Sequence, residues 1–287
     1  MKFNVVYTID RAYQVPFCCS LTSLLSHNKG LIDRVFVVQN VQSASSEEFK
    51  KTSSFVNEAY GLNINSIEID DSQFNELRAD RHVSHATYYR LCLADFLPND
   101  VQSILLLDPD TIITKELSLF SELDFLENPE LMCYAVDHGY GSIDRLKSLC
   151  PTLESYFNAG VLFLNIQLMR NENISPTLIR YGIDNKDGLL FWDQDILNIL
   201  FNKRWKKLPP SYNAFDIKKK LVQTPEIIHY TGNRKPWNII CDHVYRELYW
   251  QVLSRTPFYN FKSIIREKFG GLITLFLVPI ITVIRGN

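Results

Sequence analysis

Asp108 and Asp110 stand one residue apart, with Pro109 between them, inside the apolar run "LLLDPDTII" (Leu105 to Ile113). Pro109 disfavours the helical region for Asp108 and so predicts an extended backbone there. In an extended chain, residues i and i+2 point to the same side. The two carboxylates then face one point, and their repulsion is uncompensated unless a cation sits there. Two further polar clusters interrupt apolar patterns. "FWDQDILNILF" opens a helix-like run with Asp193, Gln194 and Asp195 in a row. "HYTGNRKPW" sets His229 at a strand end, followed by Gly232 and Lys235. Two carboxylates and one imidazole make a mixed oxygen and nitrogen shell. Magnesium and calcium prefer all-oxygen shells, so the expected ion is Mn²⁺, with Mg²⁺ the second choice. Lys235, in a glycine-containing turn near that shell, suits a phosphate oxygen as a point charge.

Taken singly, each feature has a plainer reading. A D-x-D pair is often a solvated turn, and a strand-end histidine is more often just hydrogen-bonded. Arg90 could pair with Asp95 or Glu58 at the surface, and Tyr13 could be core packing. Asp193 and Asp195 also suit the first turn of a helix, where the dipole favours acids. It is the company of Asp108, Asp110, His229 and Lys235 that selects the metal site.

The elements that must position these residues read as βαβ units. Strands are expected at Phe3–Ile9, Arg34–Gln39, Ile64–Ile69 and in "SILLLD", with others at "LMCYAV", "GVLFLN" and "EIIHY". Helices are expected over Val15–Ser26, over "SSEEFKKTSSFVNEAY" behind serine caps, and over Ala86–Leu97, stopping before Pro98. This predicts an α/β fold with an open, mostly parallel central sheet flanked by helices. Ligands collect beyond the carboxyl ends of such strands. Asp10 follows the first strand and Asp108 ends the fourth, so both belong at that rim.

The motifs "LLLDPDTIITKEL", "YFNAGVLFLN", "WDQDILN" and "HYTGNRKPW", with "ATYYRLCLADFLP" ahead of the D-x-D strand, resemble the retaining glycosyltransferases of family 8, which include bacterial lipooligosaccharide and lipopolysaccharide hexosyltransferases. The resemblance covers about residues 3 to 240. It implies a GT-A type fold, a UDP-sugar donor (galactose or glucose), manganese, and a saccharide or lipid-linked saccharide acceptor. Carried over by motif, Asp108, Asp110 and His229 are the protein's metal ligands, and Gly232 and Lys235 the diphosphate-binding turn. Thr8, Asp10 and Tyr13 in "YTIDRAY" match the nucleotide segment. Arg90 lies near the donor sugar, Asn158, Asp193 and Gln194 lie around its ring, and His82 touches the acceptor. Asp193, Gln194 and Lys235 are the candidate catalytic groups. Ala12 stands where an asparagine is common, which removes one expected contact to the nucleotide. The alternatives are a manganese-dependent nucleotide-sugar hydrolase or nucleotidyltransferase, and a nucleotide-sugar-binding protein without turnover.

The 287 residues are 46% hydrophobic and 22% charged, which is ordinary globular composition. A formal net charge of −2 gives no basic field for nucleic acid. The six cysteines form no C-x-x-C pair, which fits a reducing cytoplasm. "MKFNVVYTID" runs straight into a strand pattern and carries no secretory h-region. Residues 1–250 are expected to form the transferase domain and 251–287 a basic, apolar tail. From Arg255 onward there are five Lys or Arg against one acid, and Leu272 to Ile284 is apolar for thirteen residues. That run is too short to span a bilayer. Such a tail would either pack against the domain or dock peripherally on the inner face of an anionic membrane.

Overall fold

The structure, a computed structural model, describes residues 1–79, 84–139, 143–215, 217–233 and 235–260. Its strands are β1 (Phe3–Thr8), β2 (Ile32–Asn40), β3 (Ile64–Ile69), β4 (Ser103–Leu107), β5 (Thr111–Ile113), β6 (Cys133–Asp137), β7 (Phe157–Asn165), β8 (Trp205–Lys207) and β9 (Ile227–His229). The main sheet has the order β3-β2-β1-β4-β7-β6-β8, and β5 and β9 form a second, two-stranded sheet. Within the main sheet only β7 runs against the rest. The mostly parallel sheet expected from the sequence is therefore present.

The near-continuous apolar strands have a simple cause: both faces of the sheet are covered. Val6, Val38 and Leu106 enter one core, while their neighbours Val5, Tyr7, Val37, Leu105 and Leu107 enter the other. A third cluster joins Ile112, Ile228, Tyr230, Tyr249 and Trp250 beneath the helix Arg246–Leu253. That helix runs through residue 250, the boundary expected between domain and tail. Residues 261–287 lie outside the described residues, and with them the apolar run and most of the basic residues of the tail. No helix among the described residues is long and apolar enough to cross a membrane.

Two helices match the pattern closely. Gln14–Asn28 brackets the expected Val15–Ser26, and Glu47–Tyr60 is capped by Ser46, whose hydroxyl accepts from Phe49 N–H at 3.2 Å. The segment expected as a helix over Ala86–Leu97 differs. It is a 3₁₀ helix from His85 to Cys92, followed by a single α-turn, Leu93–Phe96. In a 3₁₀ helix residues i and i+3 eclipse on one side. Thr87 and Arg90 therefore share a side, and both meet Asp193.

The chain leaves β1 for β2 and β3 on one side, then returns to place β4 on the other. The switch point falls between β1 and β4, and their carboxyl ends carry Asp10 and Asp108. The helix Trp192–Leu200 is tied to this region by Asn198, which is fully buried. Its Oδ1 accepts from Phe157 N–H at 2.7 Å, and its Nδ2 donates to the carbonyls of Phe157 and Gln194 at 2.9 and 2.8 Å. Replacing it strands groups that water cannot reach, at about 1–3 kcal/mol. Asn198→Ala is expected to lower unfolding stability by that amount in a denaturant titration. A midpoint equal to the parent's would show that the tie is dispensable.

Candidate metal and donor site

The D-x-D segment leaves the sheet after Asp108, whose amide still donates to the Gly160 carbonyl on β7 at 2.8 Å. Asp108 follows β4, Pro109 and Asp110 form the turn, and Thr111 opens β5. The Thr111 hydroxyl donates to the Asp108 carbonyl at 2.8 Å. The carboxylates still converge, because β9 pairs with β5 in a register that sets His229 opposite Thr111. Tyr230 N–H extends the pairing by donating to the Asp110 carbonyl at 3.0 Å.

The result is a three-sided nest. His229 Nε2 lies 3.5 Å from Asp108 Oδ2 and 3.3 Å from Asp110 Oδ1. Each remaining carboxylate oxygen is held by a fixed cation. Asp108 Oδ1 accepts from Arg90 at 2.6 Å, and Asp110 Oδ2 accepts from Lys235. Burial works against charge on Asp110, yet Lys235 and His229 outweigh it and hold its carboxyl well below the usual range. Burial likewise opposes charge on Arg90, but Asp108 and Asp193 keep the guanidinium protonated. The three free ligand atoms fit a divalent cation. Metal–ligand bonds of roughly 2.1–2.5 Å put ligands at right angles about 3.0–3.5 Å apart. Asp108, Asp110 and His229 offer their ligand atoms within 4.8 Å of one another.

Gly160 on β7 is what lets the ring lie there. A β-carbon at this position would stand 2.1 Å from His229 Cε1 and 2.8 Å from Asp108 Oδ2. The apolar strand "GVLFLN" gave no sign of this contact, which depends on the His229 side chain, carried by β9, lying against β7's glycine.

The nest opens on a cleft of about 830 Å³. Thr8, Asp10, Tyr13, Arg90, Asn158, Asp193, Gln194, Gly232 and Lys235 all line it, with the metal triad. Of the expected site residues only His82 lies outside the described residues. Asp10 Oδ1 accepts from the amides of Ala12 and Tyr13, at 2.9 and 3.1 Å, and so fixes the turn after β1. The Tyr13 ring meets Trp237 edge-on at 6.0 Å, and burial, with Asp110 nearby, pushes its phenol up to about 12. Gly232 has φ +75°, which favours glycine, in the turn that carries Lys235. Lys235 itself sits on Asp110 and the Tyr230 carbonyl, so in this structure its charge neutralises the metal ligands.

Arg90 is not a surface residue, and neither Asp95 nor Glu58 is its partner in the pairs it makes. Its guanidinium donates to the Ala159 carbonyl at 2.6 Å as well as to Asp108, and its Nε lies 3.1 Å from Asp193 Oδ2 without hydrogen-bond alignment. Burial pushes the Asp193 carboxyl up to about 6, against the pull of Arg90 and the Thr87 hydroxyl. Gln194 is also committed: its Oε1 accepts from Ala159 N–H at 2.9 Å, and its Nε2 donates to Tyr156 at 3.0 Å. Asp195 faces away from this chemistry. It is fully buried, takes a two-pronged contact from Arg145 at 2.8 and 2.7 Å, and accepts from the Leu190 and Phe191 amides. Those bonds hold the turn at Trp192, whose φ of +42° is strained for a bulky residue. The strained turn presents Asp193 to the cleft.

Because a methyl group at residue 160 would occupy the place of the imidazole, Gly160→Ala is expected to weaken Mn²⁺ binding by about 10–100-fold, the range seen when support of a metal ligand is lost. Titration of Mn²⁺ in the presence of UDP measures it. An unchanged affinity would mean that His229 can move without consequence.

The sequence model of the Glycosyl transferase family 8 matches residues 4–241. Glycosyltransferase GlyF of Streptococcus pneumoniae serotype 4 is 28% identical over 260 residues, which take in 87% of this chain and 61% of GlyF. The chain therefore spans less than two thirds of that relative. Lipopolysaccharide 1,3-galactosyltransferase of Salmonella typhimurium is 27% identical over 271 residues, 89% of this chain and 79% of that enzyme. The solved structure of the galactosyltransferase LgtC with donor and acceptor sugar analogues superposes with a TM-score of 0.77, over 92% of this chain and 100% of that one, at 21% identity. That likeness shows the GT-A type fold. With the family model covering most of its length and the four motif clusters gathered around one cleft, the chain belongs to glycosyl transferase family 8.

Proposed function

We propose that this protein transfers a hexose, galactose or glucose, from a UDP-sugar to a saccharide acceptor with retention at the anomeric carbon, in the synthesis of lipopolysaccharide or another cell-surface glycan. The single observation that carries the reading is the convergence of Asp108, Asp110 and His229 at the mouth of a cleft large enough for a nucleotide sugar. Family membership and the two lipopolysaccharide-type and streptococcal relatives support the reaction class.

A divalent cation bound there, Mn²⁺ by the donor set, would supply Lewis-acid stabilisation of the departing diphosphate. The chain's own residues do the rest. Asp108 and Asp110 are aimed by Arg90 and Lys235, and Lys235 holds Asp110 ionised, so the site needs little reorganisation. Lys235 and the Gly232 turn stand on the side of the cleft next to those ligands and add positive charge for phosphate oxygens. Asp193, kept on the Thr87 and Arg90 side, stabilises positive charge growing on the sugar ring. In the transfer the bond from the anomeric carbon to the β-phosphate oxygen breaks and a bond to the acceptor oxygen forms. The acceptor's proton goes to the departing phosphate oxygen. Neither Asp193 nor Gln194 is a free nucleophile: each is tied by the contacts described above, and this supports same-face attack over a covalent intermediate.

The test is an array of UDP-hexoses and saccharide acceptors with Mn²⁺, with NMR of the product to read the anomeric configuration. Retained configuration, UDP release that depends on acceptor, and loss of both with Asp108→Ala or with chelator are expected. Full-rate release of free hexose into water would make the protein a hydrolase. UDP-sugar binding without turnover under all acceptors would make it a binding protein.

A further inference from the structure

His229 must present a bare Nε2 to a cation, and an imidazole can carry its proton on either nitrogen. The structure fixes the choice through a chain of hydrogen bonds that begins at a backbone amide. Gly160 N–H donates to Asn158 Oδ1 at 3.0 Å. A peptide N–H cannot accept, so the Asn158 amide is locked with its oxygen on that side. The same Oδ1 takes a second bond, from Asn213 Nδ2 at 2.8 Å. That bond in turn locks the Asn213 amide, leaving its Oδ1 facing His229 Nδ1 at 2.9 Å. An amide oxygen only accepts, so Nδ1 carries a proton, and the neutral ring then presents Nε2 bare to Asp108 and Asp110. Asn158 and Asn213 are 6% and 1% exposed, so water does not compete for these bonds.

Asn213 is itself held in place. The neighbouring Ala214 bonds to β9 on either side of Ile228, along one edge: its N–H donates to the Ile227 carbonyl at 2.9 Å, and its carbonyl accepts from His229 N–H at 3.0 Å. The amide and the ring are thus carried on paired backbone segments. The path from the backbone to the metal ligand contains no charged group and no rotatable hydroxyl, so its polarity has one solution.

We infer that Asn213 is a positioning residue which, with Asn158, sets the His229 tautomer and so prepares the metal site before any ion arrives. This rests on the proposed metal role of His229, but the tautomer is measurable without metal, donor or turnover. It also gives Asn158 a function independent of the sugar ring. No pattern in "PPSYNAFD" singles out Asn213, because its importance lies in what β9 and β7 bring to it.

The direct experiment is a long-range ¹H–¹⁵N correlation spectrum of the metal-free protein, at a pH where the ring is neutral. The expected result is a His229 with the proton on Nδ1, and a proton on Nε2 would overturn the inference with no variant needed. Asn213→Leu, close to the same size, should yield a mixed tautomer and a Mn²⁺ affinity about 10–100-fold weaker. Asn158→Asp keeps the one acceptor both neighbours use, and should keep the Nδ1–H form. An Asn213→Leu protein with the parent's tautomer and Mn²⁺ affinity, or an Asn158→Asp protein that loses the tautomer, would each contradict the relay. If transfer activity were absent while the tautomer result held, the proposed function would fail and the relay would stand.

Discussion

Two carboxylates that face one point beside a buried imidazole repel each other, and the site is arranged around that repulsion. Asp108 and Asp110 turn one oxygen each toward His229, and each outer oxygen is given to a cation, Arg90 or Lys235. The cations are positioned in turn. Arg90 is anchored on the Ala159 carbonyl, and Lys235 on that of Tyr230. Partial compensation of this kind leaves the inner oxygens bare but affordable, which a divalent ion can then complete. Removal of either outer cation would leave a buried charge without a partner, and such losses are among the largest single-residue effects.

The fold explains why these groups meet. The switch point between β1 and β4 creates the rim, and Pro109 turns the chain from β4 directly into β5. Because β5 pairs with β9, the histidine, distant in sequence, is delivered to the aspartates by strand register. Gly160 clears the space for the ring, and Asn213 orients it. Asp195, buried under Arg145 and Tyr156, holds the strained entry to the helix that presents Asp193.

Much of this was legible in the sequence, and the exceptions share a cause. Asp108, Asp110 and His229 were readable because charged or imidazole groups at the ends of apolar strands have few structural uses. The strands themselves followed from apolar runs and the helix Glu47–Tyr60 from its serine cap. Asp108 continues the pairing of β4 with β7, but the extended chain expected to run on to Asp110 gives way to a turn at Pro109 and Asp110, and the convergence survives because β9 enforces it. The helix expected over Ala86–Leu97 became a 3₁₀ segment because Thr87 and Arg90 are both drawn to Asp193, a tertiary demand that local propensity does not contain. Lys235, expected on the diphosphate, lines the cleft with its ammonium on Asp110, a contact that the sequence did not signal. Gly160, Asn213 and the Thr87 contact were invisible because each acts through a neighbour remote in sequence. Asn158, expected at the sugar ring, lines the cleft and also supports Asn213.

The account stands or falls on a cation held by one imidazole nitrogen between two carboxylates. Electron spin-echo envelope modulation of Mn²⁺ bound with UDP reads directly coordinated nitrogen. The account requires the signal of a single histidine nitrogen, present in the parent and absent in His229→Gln. A spectrum without a coordinated nitrogen, or one that His229→Gln leaves unaltered, would contradict it.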